Sequence, residues 1–420
     1  MATADSGEGR LAGRVAFRYP AFRLYEVARL FTVVAMEMIS VAVGWQIYAI
    51  THSKFDLGYV GLAQFLPGIL LFLVSGHAAD RFNRKKLLML CYTAFGVCAA
   101  LFLLVSLRPT HSIGPIYAVL VLLGVVRSLN GPVSRALLPQ LVSEEHFQNA
   151  VAWHSSIFQV GTIMGPSVGG LIYALFRGPV AVYVTALACY ITAVACTIRI
   201  HFQPKTRSRE PISLQTVLAG IAYIWKQKVV LGSISLDLFA VLLGGAVALL
   251  PAYAQDILHT GPWGLGLLRS APAVGAGAMA ILLAYRPLRR RVGRTMLWCV
   301  AAFGIFTIVF GISGSLTLSL VALALTGAAD MVSVVIRVTL VQLATPDQMR
   351  GRVNAVDMIF IGASNELGQF ESGVTAGWFG TVPAVVMGGA GALLITALWA
   401  WRFPELRKAE PPQVMEMAEP

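Results

Sequence analysis

The chain has 420 residues, of which 57% are hydrophobic and only 12% charged, about half the charged share of a soluble globular domain. Its formal net charge of +12 is carried by basic residues scattered between apolar runs rather than gathered on a polar domain. That pattern excludes a nucleic-acid partner and points to an integral membrane protein whose basic residues meet anionic membrane lipid.

A bilayer core of about 30 Å takes roughly 20 apolar residues per helix. The first twenty residues, MATADSGEGRLAGRVAFRYP, are polar and basic without an apolar core, so they are not a secretory signal peptide. With Gly, Pro and charge clusters as punctuation, the chain then reads as twelve spans, at residues 25–50, 57–79, 86–107, 114–141, 147–176, 179–201, 230–256, 263–285, 294–312, 315–343, 349–378 and 382–403.

Lys and Arg gather in alternate connections. Arg10 to Arg23, Arg81 to Lys86, Lys205 to Lys228, Arg286 to Arg294, Arg350 and Arg352, and Arg402 to Lys408 lie on one side; little more than Lys54, Arg108 and Arg177 lies on the other. This bias places both termini of the multi-pass chain in the cytoplasm. The five cysteines all sit in apolar runs, with no disulfide or zinc spacing.

The longest break, residues 202–229, opens with HFQPKTRSREP and continues SLQTVLAGIAYIWKQK. Apolar residues near helical spacing beside basic ones predict a linker followed by an interfacial amphipathic helix. The expected organisation is a cytoplasmic segment 1–20, a six-helix bundle 21–201, the linker 202–229, a second six-helix bundle 230–403 and a cytoplasmic tail 404–420. The closing EPPQVMEMAEP has too little apolar surface to fold.

The halves repeat. Gly61, Leu62, Pro67 and the basic run Arg84 to Lys86 recur 205 residues later as Gly266, Leu267, Pro272 and Arg289 to Arg291. Asn149-Ala150-Val151 maps onto Asn354-Ala355-Val356 at the same displacement, and Arg135, Gln140 and Leu141 map onto Arg337, Gln342 and Leu343 at 202. Six spans per half give both halves the same orientation, which predicts two bundles related by a pseudo-twofold axis along the membrane normal.

GHAADRFNRKK, between spans 2 and 3, resembles the loop motif of the major facilitator superfamily: a Gly, three residues, Asp-Arg, then a further basic run. GTIMGPSVGG in span 5, with Gly161, Gly165, Pro166, Gly169 and Gly170, resembles the antiporter motif of that superfamily. NGPVSRALLPQLV, TPDQMRGRVNAV and SNELGQFESG are similar to segments of the bacterial exporter group that includes enterobactin exporters. The resemblance implies a major facilitator fold and a monomeric secondary transporter of the inner membrane. It would move a siderophore, drug or other amphiphilic small molecule outward by alternating access, in exchange for protons. A lysophospholipid flippase or an importer would carry the same motifs.

The resemblance also implies that Asp80, with Gly76, Arg81 and Arg84, forms a cytoplasmic gate by bonding the start of a helix, where orphan amides favour an anion. Lys85 and Lys86 are expected to anchor to anionic lipid. Asn83 stands where the superfamily pattern has Gly, and Asn reaches left-handed backbone angles at low cost. Arg127, which shares a face of span 4 with Asn130, either locks this gate or meets an anionic substrate. In span 5, glycines four apart let a neighbouring backbone approach closely, and Pro166 permits a bend.

Each acid inside a membrane costs about 2.5–3.5 kcal/mol on insertion scales and faces a cavity or a partner. Glu37, Asp237, Asp330, Glu366 and Glu371 meet that description and are the candidate proton-coupling residues, Glu37 and Glu366 foremost. Asp330 and Arg337, seven apart on one helix face, suit either an ion pair or separate interhelical bonds. Gln46, Asn130, His154 and Arg337 are candidates to line a substrate cavity, with a hydrogen-bonded structural role also open to His154.

No metal-ligand spacing, nucleotide-binding GxxxxGK[ST] run or Ser/His/Asp grouping on a loop occurs. No cofactor, metal or enzymatic activity is therefore expected. A polytopic membrane enzyme and a non-transporting receptor are the remoter alternatives.

Overall fold

The computed structural model describes residues 15–71, 75, 76, 78, 81–108, 112–201, 214–286 and 291–410, without the side chains of 214–217 and 347. All regular structure in this set is helical. In hydrocarbon a chain must satisfy its backbone N–H and C=O groups internally, and an apolar helix does so within one segment.

The long helices are α1 (Pro20–Thr51), α2 (Lys54–Leu70), α3 (Arg84–Leu107), α4 (Gly114–Leu141), α5 (Phe147–Leu175) and α6 (Val180–Ile198), then a shorter α7 (Leu214–Lys226). There follow α8 (Lys228–Gly244), α9 (Gly261–Tyr285), α10 (Val292–Ile312), α11 (Leu316–Ala344), α12 (Asp347–Phe379), α13 (Thr381–Arg402) and the single turn α14 (Pro404–Arg407). Among the described residues, ten helical stretches are long and apolar enough to cross a membrane. The two remaining predicted spans are α2, described over 17 residues, and α12, whose 33 residues include Asp357, Glu366 and Glu371.

Helix α8 breaks at Gly245 and continues through tight turns at Val247–Leu249 and a wide turn at Tyr253–Ile257. Ser372 on α12 donates to the freed Gly245 carbonyl at 2.6 Å, so the break leaves that oxygen satisfied.

The chain packs as two compact units, and two segments cross over between them. The first unit comprises Met1–Ile50, Leu66–Ile212 and the opening of α9, Gly261–Ser270; the second comprises Thr51–Phe65, Ser213–Thr260 and Ala271–Pro420.

In the first unit, Phe95 and Phe102 of α3 stack on Tyr190 and Tyr183 of α6 at 5.6 and 5.4 Å. Asn83 is not left-handed: with φ −61° and ψ 113° it caps α3, its side-chain oxygen accepting from the Lys86 amide at 3.1 Å. Here a residue suited to left-handed angles serves instead as a helix N-cap. Lys85 has partners within the protein that the sequence did not show. Its ammonium donates to the carbonyls of Ile198 and Ile200 at 2.8 and 2.7 Å, satisfying the end of α6.

The second unit is centred on Leu236, Met296, Val300, Ile336, Leu340 and Leu406. The predicted amphipathic helix is present as α7. It lies on α12, where Gly220 meets the Arg352 carbonyl, and the Tyr223 hydroxyl donates to the Ala344 carbonyl at 2.6 Å. On the cytoplasmic end predicted from charge, hydrogen bonds from its own backbone amide and from Lys228 hold the Glu405 carboxyl below the usual carboxylate range.

Candidate functional site

The second unit holds a charged cluster in the middle of its helices. Arg337 on α11 is 2% exposed. It donates to Asp357 on α12 at 2.6 Å and lies 3.4 Å from Asp237 on α8. Asp330, two turns before Arg337, borders a small cavity together with Asp237, Ala240, Val241, Val300, Phe303 and Ser333. Asp330 and Arg337 do share a helix side, but the ion pairs of Arg337 among the described residues go to the other two acids. Arg337 Nε and the Ser333 hydroxyl are buried without a hydrogen-bond partner. One guanidinium thus pairs with two carboxyls in apolar surroundings, with a third carboxyl on the cavity that Asp237 also lines.

A second cluster occupies the first unit. Glu26 on α1 is 1% exposed and lies 2.7 Å from Nδ1 of His154 on α5. Arg29, one turn on, is 3.8 Å from the other Glu26 oxygen and donates to the His154 carbonyl. The Tyr25 ring stacks on His154, and its hydroxyl bonds Ser134 on α4. The predicted candidate His154 is therefore committed to a carboxylate and a ring. In both halves the cluster joins the first, fourth and fifth membrane helices, in keeping with the sequence repeat.

The glycine stripe of α5 lies against α1. A Cβ on Gly161 would meet Val33, one on Gly165 would fall 2.6 Å from the Glu37 Cβ, and one on Gly169 would fall 2.8 Å from the Met38 Cα. Gly170 abuts the start of α9, where a Cβ would come 2.5 Å from the Pro262 carbonyl. Pro166, inside α5, sits in that same contact, its carbonyl facing Gly266. From α9, Arg269 reaches back to α1, 3.8 Å from Glu37 and donating to Ser40 at 2.6 Å. Glu37 therefore has a cationic partner above a glycine.

Other predicted residues are dispersed. Gln46 accepts from Tyr183 at 2.8 Å and donates to Ser106 at 3.0 Å, joining α1, α3 and α6. Glu366 accepts from Gln369 at 3.2 Å, and Glu371 from Thr375 at 2.7 Å. Arg127 is exposed on α4, and Asn130 has a buried side-chain oxygen without a hydrogen-bond partner. Around the loop motif, Gly76 is buried and Arg81 exposed, with Arg84 opening α3. Asp80 lies outside the described residues, as do the linker 202–213 and the tail from 411.

Among the described residues no group of His, Cys, Asp and Glu is placed to hold a metal ion. The family model for transmembrane secretion effectors, of the major facilitator type, matches residues 12–419. The chain belongs to that family.

This transmembrane secretion effector is 29% identical over 404 residues to the enterobactin exporter EntS of Shigella boydii, covering 94% of this chain and 95% of that protein. The EntS proteins of several Escherichia coli strains match to the same extent. Among solved structures, the nucleoside transporter NupG superposes with a TM-score of 0.74 at 11% identity, covering 91% of this chain and 100% of that one. A bacterial homologue of the human lysosomal transporter Spinster superposes at 0.72 with 14% identity, over 94% and 99% of the two chains. A bacterial homologue of the iron transporter ferroportin does so at 0.68 with 16% identity, over 93% and 99%. These structures establish the major facilitator fold. The protein is a multi-pass membrane transporter, not an enzyme.

Two buried acids of the clusters, Glu26 and Asp357, were absent from the sequence-based candidates. Glu26 falls at the second residue of the predicted first span, where it reads as a boundary charge. Asp357 follows the polar run TPDQMRGRVNAV, which masks its depth in the helix.

Proposed function

We propose that this transporter is a proton-coupled exporter of a siderophore or a similar amphiphilic small molecule. It works as a monomer by alternating access in the bacterial inner membrane, with both termini cytoplasmic. The enterobactin exporters support the substrate class and the direction; the Lys and Arg bias supports the orientation.

The observation that carries proton coupling is the single buried guanidinium of Arg337 amid Asp237, Asp330 and Asp357. Three ionised carboxylates beside one guanidinium leave two negative charges uncompensated, and each desolvated ion costs several kcal/mol. A proton from outside removes one of those charges and loosens the hold of Arg337 on α8 or α12. Release of the proton to the cytoplasm restores the pairing. Binding a proton thus changes the connection between three helices, which is what an exchange cycle requires. Glu37, paired with Arg269, is the second candidate carrier.

The resemblance to the superfamily loop motif supports a cytoplasmic gate at Asp80, with Arg127 a candidate to lock it. Asp80→Asn is expected to slow transport while membrane expression is kept.

Enterobactin efflux from cells, with and without an uncoupler, tests the proposal. Efflux should collapse when the gradient does, and Asp330→Asn or Asp357→Asn should lose the response at normal expression. Efflux that ignores the uncoupler rejects proton coupling; full activity of both variants rejects the cluster.

A further inference from the structure

The charged cluster of the second unit includes a polar group that its ion pairs leave unused. Asp330, Ser333 and Arg337 follow one another at spacings of three and four residues, on one side of α11. Ser333 is 2% exposed, borders the cavity that Asp237 and Asp330 also line, and its hydroxyl is buried without a hydrogen-bond partner. A hydroxyl in that position costs free energy unless something in the cavity bonds it. The cavity, about 10 Å³, is close to the least that holds one water molecule, which needs about two to four polar partners. Ser333, Asp237 and Asp330 supply them. A hard metal cation takes about six oxygen ligands or more, whereas apolar side chains from α8 and α10 make up the rest of this wall. The site fits water.

The three aspartates differ in their charge partners. Asp357 lies 2.6 Å from Arg337 and Asp237 lies 3.4 Å from it, whereas Asp330 has no ion pair among the described residues. The charged groups that act on Asp330 are Asp237 on α8 and Arg337 on α11 itself. From α12, Asp357 faces Arg337 and Asp237, and α10 contributes only Val300 and Phe303 to the cavity. An ionised Asp330 therefore places a second negative charge beside Asp237 without a cation in contact. A buried charge in that state is relieved by protonation.

We propose that the cavity holds one water molecule, which accepts from Ser333 and donates to Asp237 and Asp330, and that Asp330 takes the coupling proton through it. Ser333 is the residue that positions the water. The proposal rests on the reading of the chain as a proton-coupled exporter and names the acid within it. A hydronium ion formed at the water passes one proton to the Asp330 carboxylate, leaving neutral water and a neutral carboxyl. That carboxyl then donates through the water to Asp237. The longer contact of Arg337, at 3.4 Å to Asp237 on α8, is thereby the one that loosens, while the 2.6 Å bond to α12 stays.

The test is infrared difference spectroscopy of the full chain in phosphatidylcholine nanodiscs, without a pH gradient, in sodium chloride and again in choline chloride. The samples are titrated from about pH 9 down to about pH 5, a range in which exposed carboxylates stay largely ionised. A protonated-carboxyl band should appear as the pH falls, equally in either salt. Asp330→Asn should remove that band and Asp357→Asn should keep it. Ser333→Ala, which deletes one oxygen, should shift the band to higher frequency and remove the signal of one ordered water, because the carboxyl has lost its hydrogen-bonded partner. No titrating band in the wild type overturns the proposal, whether or not any variant folds. So does a band that survives Asp330→Asn, or one that Ser333→Ala leaves in place. A band that sodium suppresses relative to choline overturns it in favour of a metal-cation site. An Asp330 that titrates as expected in a chain whose efflux ignores the uncoupler contradicts the exchange mechanism alone.

Discussion

Arg337 on α11 and Asp357 on α12 form a buried ion pair at 2.6 Å, with a second aspartate, Asp237 on α8, 3.4 Å from the same guanidinium. The arrangement fastens three helices of one unit through a single side chain. Asp330 stands beside it on the edge of the cavity that Asp237 also lines. The apolar residues around the set raise the cost of any charge left without a partner, so its occupancy by protons and its packing are linked.

The first prediction concerns that pair. Breaking a buried ion pair on one side costs about 3–5 kcal/mol, because a charge is left behind. Arg337→Gln, which leaves Asp237 and Asp357 without their cation, should destabilise the folded chain in micelles by an amount of that order. Arg337→Gln combined with Asp357→Asn should be less unstable than the sum of the two single variants. Simple additivity in thermal unfolding would show that the two side chains do not interact.

Glu26 and His154 make a related prediction in the first unit. Removing one partner of a buried hydrogen bond costs about 1–3 kcal/mol, whereas replacing both by apolar groups can be nearly neutral. His154→Leu, which leaves one Glu26 oxygen without its partner while Arg29 stays near the other, should therefore destabilise the folded chain by that order. No loss of stability in an unfolding titration would make His154 a packing residue alone.

The glycine contact between α5 and α1 gives a third. A methyl at Gly165 meets the Glu37 Cβ at 2.6 Å and the Val34 carbonyl at 3.0 Å, while one at Gly362 meets nothing within 4 Å. Alanine is favoured over glycine in a helix interior by about 0.8–1.0 kcal/mol. Gly362→Ala should raise the melting temperature and Gly165→Ala should lower it. A rise for both would mean that α5 has room to move from α1.

Much of the fold was legible because hydrocarbon permits few solutions. Apolar runs and charge clusters marked twelve spans, and a helix, α7, stands where the basic amphipathic pattern predicts one. The stripe Gly161, Gly165 and Gly169 announced a close helix contact, and α1 provides it. Partners were less accessible. Glu26 and His154 are 128 residues apart, and no local pattern joins them. The spacing of Asp330 and Arg337 correctly placed both on one helix side, yet other helices supplied the acids that bond the arginine. Asn83 and Lys85 looked like elements of a basic turn; their cap contacts depend on where α3 and α6 end in space.

Proton movement measured directly in liposomes is the most decisive observation for the exchange mechanism. The reconstituted chain, with a pH-sensitive dye on one side, should show an enterobactin-dependent proton flux opposite to the enterobactin flux. Arg337→Gln and Asp330→Asn should uncouple the two. Enterobactin transport with no accompanying proton flux in the wild type would contradict the mechanism.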